Sequence, residues 1–109
     1  SDEAPDYLRY AEEHIRAHAG RSVGIDELVA AVGVGERALQ QAFRRYRGCS
    51  PSEYSRDVRL DAARAALLAG DGVTETALAF GFNHFGRFAQ SYAMRFEEKP
   101  SETMKRVRH

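Results

Sequence analysis

The 109-residue sequence predicts an all-α fold of seven helices, arranged as two helix-turn-helix subdomains joined by a long linker helix. Three observations predict it. Apolar residues recur at helical spacing almost throughout, and no stretch of strand length alternates apolar with polar. Glycines and a Ser-Pro-Ser-Glu tetrad punctuate that pattern where helices stop and start. A short helix, a glycine-containing turn and a longer helix then occur in succession twice.

Taken in order, the first helix is predicted over about residues 6–18, with Tyr7, Leu8, Ala11 and Ile15 on one face and Gly20 ending it. A short second helix, Ile25 to Val32, buries Leu28, Val29 and Val32, and Glu27 in its first turn suits the helix dipole. Gly33 breaks the pattern. The third helix, Glu36 to Arg47, carries a buried stripe of Ala38, Leu39, Ala42, Phe43 and Tyr46 before Gly48 stops it. Ser50 as N-cap, Pro51 at the first position and Glu53 reaching back three residues later start the fourth. This linker helix runs from Pro51 to about Leu68, and Tyr54, Val58, Leu60, Ala62, Ala65 and Leu68 are expected on one broad face. After Gly70-Asp71-Gly72 come a short helix from Val73 to Phe80, a longer one from His84 to Phe96 with Asn83 as N-cap, and a last one opened by Pro100-Ser101-Glu102.

The second half repeats the first. With Gly33 on Gly81, Ile25-Asp26-Glu27 falls on Val73-Thr74-Glu75. One extra residue after the second turn puts Leu39 on Phe88, Phe43 on Tyr92 and Pro51-Ser52-Glu53 on Pro100-Ser101-Glu102. The divisions are 6–50 for the first subdomain, 51–69 for the linker and 70–109 for the second. A linker of about 18 residues spans roughly 27 Å. It is expected to hold the two longer helices of the subdomains on one side of the molecule.

Composition is that of a globular protein, 43% hydrophobic and 29% charged. No apolar run approaches the roughly 18 residues of a membrane span. The start, Ser1-Asp2-Glu3-Ala4-Pro5, lacks the basic and apolar regions of a signal peptide, and a first residue other than Met is expected of a processed chain or of a piece of a longer one. Cys49 is the single cysteine, which excludes an internal disulfide and fits a reducing cytoplasm. Formal net charge is zero, but Asp2, Glu3, Asp6, Glu12 and Glu13 crowd the first helix while Arg37, Arg44, Arg45 and Arg47 crowd the third. A polarised domain with a basic face is therefore expected.

The outward faces carry the functional signal. The stripe of the third helix leaves Glu36, Arg37, Gln40, Gln41 and Arg44 outside, with Arg and Gln three and four apart so that they line up. Arg pairs bidentately with guanine and Gln with adenine, although a solvated helix surface has the same appearance. In the sixth helix Phe88, Ala89, Tyr92 and Phe96 face inward, while Asn83, Arg87, Gln90, Ser91 and Met94 face away. Two similar outward faces in two similar units favour double-stranded DNA as the partner. The rival reading is a helix-turn-helix-derived protein-interaction module, which zero net charge supports.

With these residues in place, the sequence closely resembles the DNA-binding domain of AraC/XylS transcription regulators from about Tyr7 to Met104. The resemblance is carried by Ile25-Asp26-Glu27-Leu28-Val29, by the run from Gly33 to Phe43, and by Ser50-Pro51-Ser52-Glu53-Tyr54. It continues through Arg59-Leu60-Asp61-Ala62-Ala63-Arg64, Ala77, the run from Gly81 to Phe88, and Pro100-Ser101-Glu102. It implies a major-groove recognition helix in each subdomain, with Arg37, Gln40, Gln41, Arg87 and Gln90 reading bases. Arg44, Asn83, His84, Phe85 and Ser91 are further candidate DNA contacts. It also implies an effector-binding or dimerisation domain N-terminal to this one and RNA polymerase as a partner. Four features depart from the family pattern. Gly35 stands where Ser or Thr commonly caps the first recognition helix. Phe85 and Gly86 occupy positions of polar readers, and Phe85 either touches a thymine methyl or packs against the preceding turn. Thr76 replaces an apolar core residue. Glu97 replaces a frequent glycine.

Enzyme chemistry has little purchase here: no nucleophile, base and acid share a catalytic spacing. His14 and His18 lie four apart, as metal ligands do, but Ile15 stands where a zinc protease needs Glu, and a surface histidine pair is the reading adopted. Cys49 lacks a neighbouring Cys or His. No catalytic residue, metal or cofactor is expected.

Overall fold

A computed structural model describes residues 3–107. Among these lie helices α1 (Asp6–Ala17), α2 (Ile25–Val32), α3 (Glu36–Arg47), α4 (Pro51–Leu68), α5 (Val73–Ala79), α6 (Phe85–Phe96) and α7 (Pro100–Val107), and no strand. The all-α prediction holds, with small shifts at three ends. α1 ends at Ala17 with His18 as its C-cap. α5 stops one residue before Phe80, and α6 starts one residue after His84. Asp2, counted in the acidic start, lies outside the described residues.

The chain forms two compact units, Ser1–Val58 and Arg59–His109, and α4 passes from one into the other. In the first unit Leu8, Ala11, Ile15, Val23, Leu28, Leu39, Ala42 and Phe43 make the core, and half-buried Val29, Val32, Tyr46 and Tyr54 pack against it. Apart from Val23, in the loop before α2, and Tyr54, from α4, these belong to the predicted inward stripes of α1, α2 and α3. Gly33 closes α2 at φ +83, and its N–H bonds the Val29 carbonyl. Only glycine adopts that left-handed conformation without strain, so the turn into α3 can be tight.

The predicted charge separation is partly undone by folding. Glu12 sits beside Ala11 on the packing face of α1 and is buried, so it must find partners. Arg47 grips it with two bonds of 2.8 and 2.9 Å, and the Tyr54 hydroxyl donates a third of 2.8 Å. The Arg47 bonds hold the Glu12 carboxyl below its ordinary range against the opposing effect of burial. Glu12 and Arg47 thus join α1 to α3 instead of belonging to opposite faces. The α4 start is as predicted: Ser50 N–H donates to Glu53 Oε1 at 2.8 Å, and Glu53 N–H donates to Ser50 Oγ at 3.1 Å.

The predicted single apolar face of α4 is not observed. In the first unit Ser55 is buried and accepts the Val23 N–H; in the second, Arg59, Leu60, Ala63 and Leu67 are buried. Ala65 and Leu68 are exposed. Arg59 donates to the Phe80 and Gly81 carbonyls and lies 4.4 Å from the Phe82 ring centroid.

The second unit packs Leu60, Ala63, Leu67, Ala77, Phe88 and Tyr92. Its aromatics form a ladder, Phe82 to Phe88 at 4.8 Å, Phe88 to Tyr92 at 5.8 Å and Tyr92 to Phe96 at 4.7 Å. The Tyr92 hydroxyl reaches Thr103 Oγ1 at 2.7 Å, and Thr103 in turn donates to the Glu98 carboxylate. The two departures noted in this half have structural counterparts. Thr76 is buried with its hydroxyl unpartnered among the described residues. Glu97 takes the left-handed conformation at φ 59, the one non-glycine residue to do so among those described.

Candidate nucleic-acid interface

The third helix presents the predicted row. Leu39 and Phe43 are wholly buried and Ala42 nearly so, which turns Glu36, Arg37, Gln40, Gln41 and Arg44 outward, all exposed. Arg45, placed by the sequence only in a basic run, joins that exposed surface and lies 5.4 Å from the Tyr46 ring centroid. Arg37 and Gln41 hold no hydrogen bond or ion pair among the described residues. Gln40 donates to Glu36 Oε1 at 3.2 Å, an i,i+4 pair legible in the spacing. Arg44 leans toward Glu53 at 3.7 Å and the Gly48 carbonyl at 3.4 Å. These contacts are exposed and easily exchanged for others. Gly35 is the N-cap residue and offers no side chain to cap the helix or meet a phosphate.

In the second unit Phe88 and Tyr92 are wholly buried, and Asn83, His84, Gly86, Arg87 and Gln90 are exposed. Ser91 is half-buried and Met94 is 80% exposed. Arg87 and Gln90 hold no partner among the described residues. The expected Asn83 cap is not formed. His84 is the N-cap residue, with extended backbone and no side-chain bond into the helix. Among the described residues no side chain caps the first-turn N–H groups of α6.

Phe85 packs within its own helix and not against the turn before it. Its ring meets Phe88 edge-on at 6.4 Å, yet half of the residue remains exposed. It borders an apolar groove of about 390 Å³ with Ala89, Gln90, Ala93 and Pro100.

Outside these faces the histidine pair is not the plain surface pair expected. His14 and His18 are half-buried, and Glu27 of α2 lies 2.6 Å from His14 Nε2. Arg21 grips Glu27 with two 2.7 Å bonds and, with His14, draws its carboxyl down to about 2. Cys49 is half-buried, and burial pushes its thiol up, away from the reactive thiolate.

Comparison with known proteins gives the same picture. A family model described as "Helix-turn-helix domain" matches residues 28–106. The "Probable thc operon regulatory protein" of Rhodococcus erythropolis is 36% identical over 107 residues, covering 94% of this chain and 32% of that protein. "XylDLEGF operon transcriptional activator 2" of Pseudomonas putida is 33% identical over 101 residues, covering 89% of this chain and 62% of that protein. A crystal structure of a probable AraC family transcriptional regulator from Rhodopseudomonas palustris superposes with a TM-score of 0.89 at 40% identity, covering 96% of this chain and all of that one. The chain thus spans about a third of the length of the Rhodococcus relative. With its two helix-turn-helix units, its exposed Arg and Gln rows and this likeness along nearly its whole length, the chain belongs to the AraC family of DNA-binding helix-turn-helix transcription regulators.

Proposed function

We propose that this domain reads an asymmetric double-stranded DNA site with one copy of the chain, α3 in one major groove and α6 in the next. The observation that carries this is the pairing, in each unit, of a buried apolar stripe with exposed Arg and Gln that have no partner among the described residues: Arg37 and Gln41 on α3, Arg87 and Gln90 on α6. Arg37 and Arg87 are the guanine readers and Gln41 and Gln90 the adenine readers. Gln40 joins them when it exchanges Glu36 for a base edge. Arg44, Asn83, His84 and Ser91 contact the backbone or flanking bases, and Phe85 meets a thymine methyl.

Phosphate neutralisation supplies affinity and base edges supply specificity, so binding weakens as salt rises. A modest basic face on a neutral chain suits moderate non-specific binding. The full-length protein is proposed to act in the cytoplasm, at the nucleoid, with an effector-binding or dimerisation domain N-terminal to this one. By analogy with the Pseudomonas relative it activates transcription, with RNA polymerase as its partner.

Selection from randomised duplexes followed by gel shift across a salt series tests the reading. Enrichment of one asymmetric sequence, bound more weakly as salt rises, is the expected result. Silence toward every duplex at about 50 mM salt would instead make the fold a protein-interaction module.

A further inference from the structure

His14, His18 and Glu27 form a cluster outside the DNA-reading face, within the first unit. His14 and His18 sit one helical turn apart on α1, and Glu27 comes from the first turn of α2. The ligand atoms these residues offer all lie within 4.8 Å of one another. The two imidazole centroids are 4.3 Å apart.

We propose that these three residues bind a divalent first-row transition metal of the zinc class, tying α1 to α2. The donor set fits that class: imidazole nitrogen and carboxylate oxygen are zinc ligands, and thiolate is not required. The tautomer of His18 fits as well. Its Nδ1 lies 2.8 Å from the His14 carbonyl, which only accepts, so Nδ1 carries the hydrogen and Nε2 keeps its lone pair for a metal. A backbone carbonyl that orients a ligating ring in this way is a recurrent support of metal-bound histidines. His14 Nε2 faces Glu27 Oε2 at 2.6 Å, with one hydrogen between them. On binding, that proton leaves to solvent and the ion takes its place. Bonds of about 2.0–2.2 Å in tetrahedral geometry set ligand atoms about 3.4 Å apart. The His14–Glu27 pair must open slightly and the His18 ring close in, both by side-chain rotation. His18 is also the C-cap of α1, where the free carbonyls favour a cation.

Arg21 opposes the ion. Its guanidinium bonds both oxygens of Glu27 at 2.7 Å. The carboxylate can keep Arg21 on Oε1 and turn Oε2 to the metal, but a neighbouring positive charge weakens the site. Solvent supplies the remaining ligand because all three residues are half-buried.

Zinc titration of the 109-residue chain by calorimetry, with thermal melts followed by circular dichroism, tests the site. One ion per chain should bind saturably and raise Tm by a few degrees, since a ligand of the native state stabilises it. His18→Ala, whose one lost bond is local, should keep its helix content in metal-free buffer and bind zinc about tenfold or more weakly. Arg21→Gln should bind zinc several-fold more tightly, because the competing cation is gone. A merely structural Arg21 gives no such gain. Cobalt in place of zinc should give the visible absorption of a four-coordinate ion. Absence of saturable uptake, uptake unchanged by His18→Ala, or looser binding by Arg21→Gln overturns the proposal.

Discussion

Arg37 and Arg87 are exposed and unpartnered among the described residues, one on each reading helix. Replacing either with Ala is expected to cost about 1–3 kcal/mol at the selected site and to relax preference at one or two base pairs. Binding to a panel of single-base variants measures this; an equal loss on every sequence would make that arginine a phosphate contact. Phe43 is wholly buried, packs in the core of the first unit and lies 5.3 Å from the Tyr54 ring. Phe43→Ala should destabilise by roughly 3–5 kcal/mol in denaturant titration, as truncation of a buried aromatic does. Glu97 tests strain of the opposite sign. An L-residue in the left-handed region at a helix C-cap costs about 1 kcal/mol that glycine avoids. Glu97→Gly should therefore stabilise the second unit despite the added freedom of the unfolded chain, and a lower Tm would contradict the assigned backbone. Legibility at this scale follows polarity. The spacing alone places Leu39, Phe43, Phe88 and Tyr92 inward, because an apolar side chain has one favourable destination. It does not place Glu12, Ser55 and Arg59, because burying a polar group depends on partners distant in sequence: Arg47, Val23, and the Phe80 and Gly81 carbonyls.

At the scale of elements, starts and stops read from the sequence where a local motif makes them. The Ser50–Glu53 box sets the start of α4 by two mutual bonds, and Lys99 N–H repeats half of it by donating to Glu102 Oε1 at the start of α7. Ser50→Ala should cost about 1 kcal/mol by thermal melting. The start of α6 misled because Asn83 is a strong cap by type, yet the helix begins one residue further on, behind His84. The faces of α4 misled for another reason: its first turns bury into one core and its later turns into another, so no single stripe runs its length. The Glu12–Arg47–Tyr54 cluster joins three helices and makes stability depend on pH at both ends. The Glu12 carboxyl is depressed, so its contribution is complete above the ordinary carboxylate range and is lost as pH falls through its lower folded value. The Tyr54 phenol is pushed up to about 12, chiefly by burial and then by its bond to Glu12. Its contribution is present below the ordinary tyrosine value and disappears as pH rises toward that figure. Tyr54→Phe should cost about 1–3 kcal/mol at neutral pH and flatten the alkaline limb, leaving the acid limb to Glu12. An unchanged alkaline limb in pH-dependent melts would show that other groups govern it.

For the molecule as a whole, the sequence repeat is also a functional asymmetry. A single helix-turn-helix commonly meets DNA as a dimer, whose symmetry supplies the second reading helix and imposes a palindrome. This chain carries two such units, and the residues proposed above as readers are unlike: Arg37, Gln40 and Gln41 on α3, and Phe85, Arg87 and Gln90 on α6. In the register that puts Leu39 on Phe88, Arg37 falls on Gly86 and Gln40 on Ala89, and only Gln41 meets a like residue, Gln90, so the two half-sites are expected to differ in sequence. One copy should occupy two unlike half-sites about 34 Å, or one helical turn, apart. If the grooves must be brought to the helices, bending the duplex costs of order 1–6 kcal/mol, and flexible pyrimidine–purine steps between the half-sites should then raise affinity without being touched. Footprinting of the isolated domain should give protection in two adjacent major grooves, and titration should give one chain per duplex. Arg87→Ala should erase protection in one groove while leaving the other, and Arg37→Ala the reverse. Two chains on a palindrome, or protection confined to a single groove in the unsubstituted domain, would leave one of the two helices without a role in reading DNA.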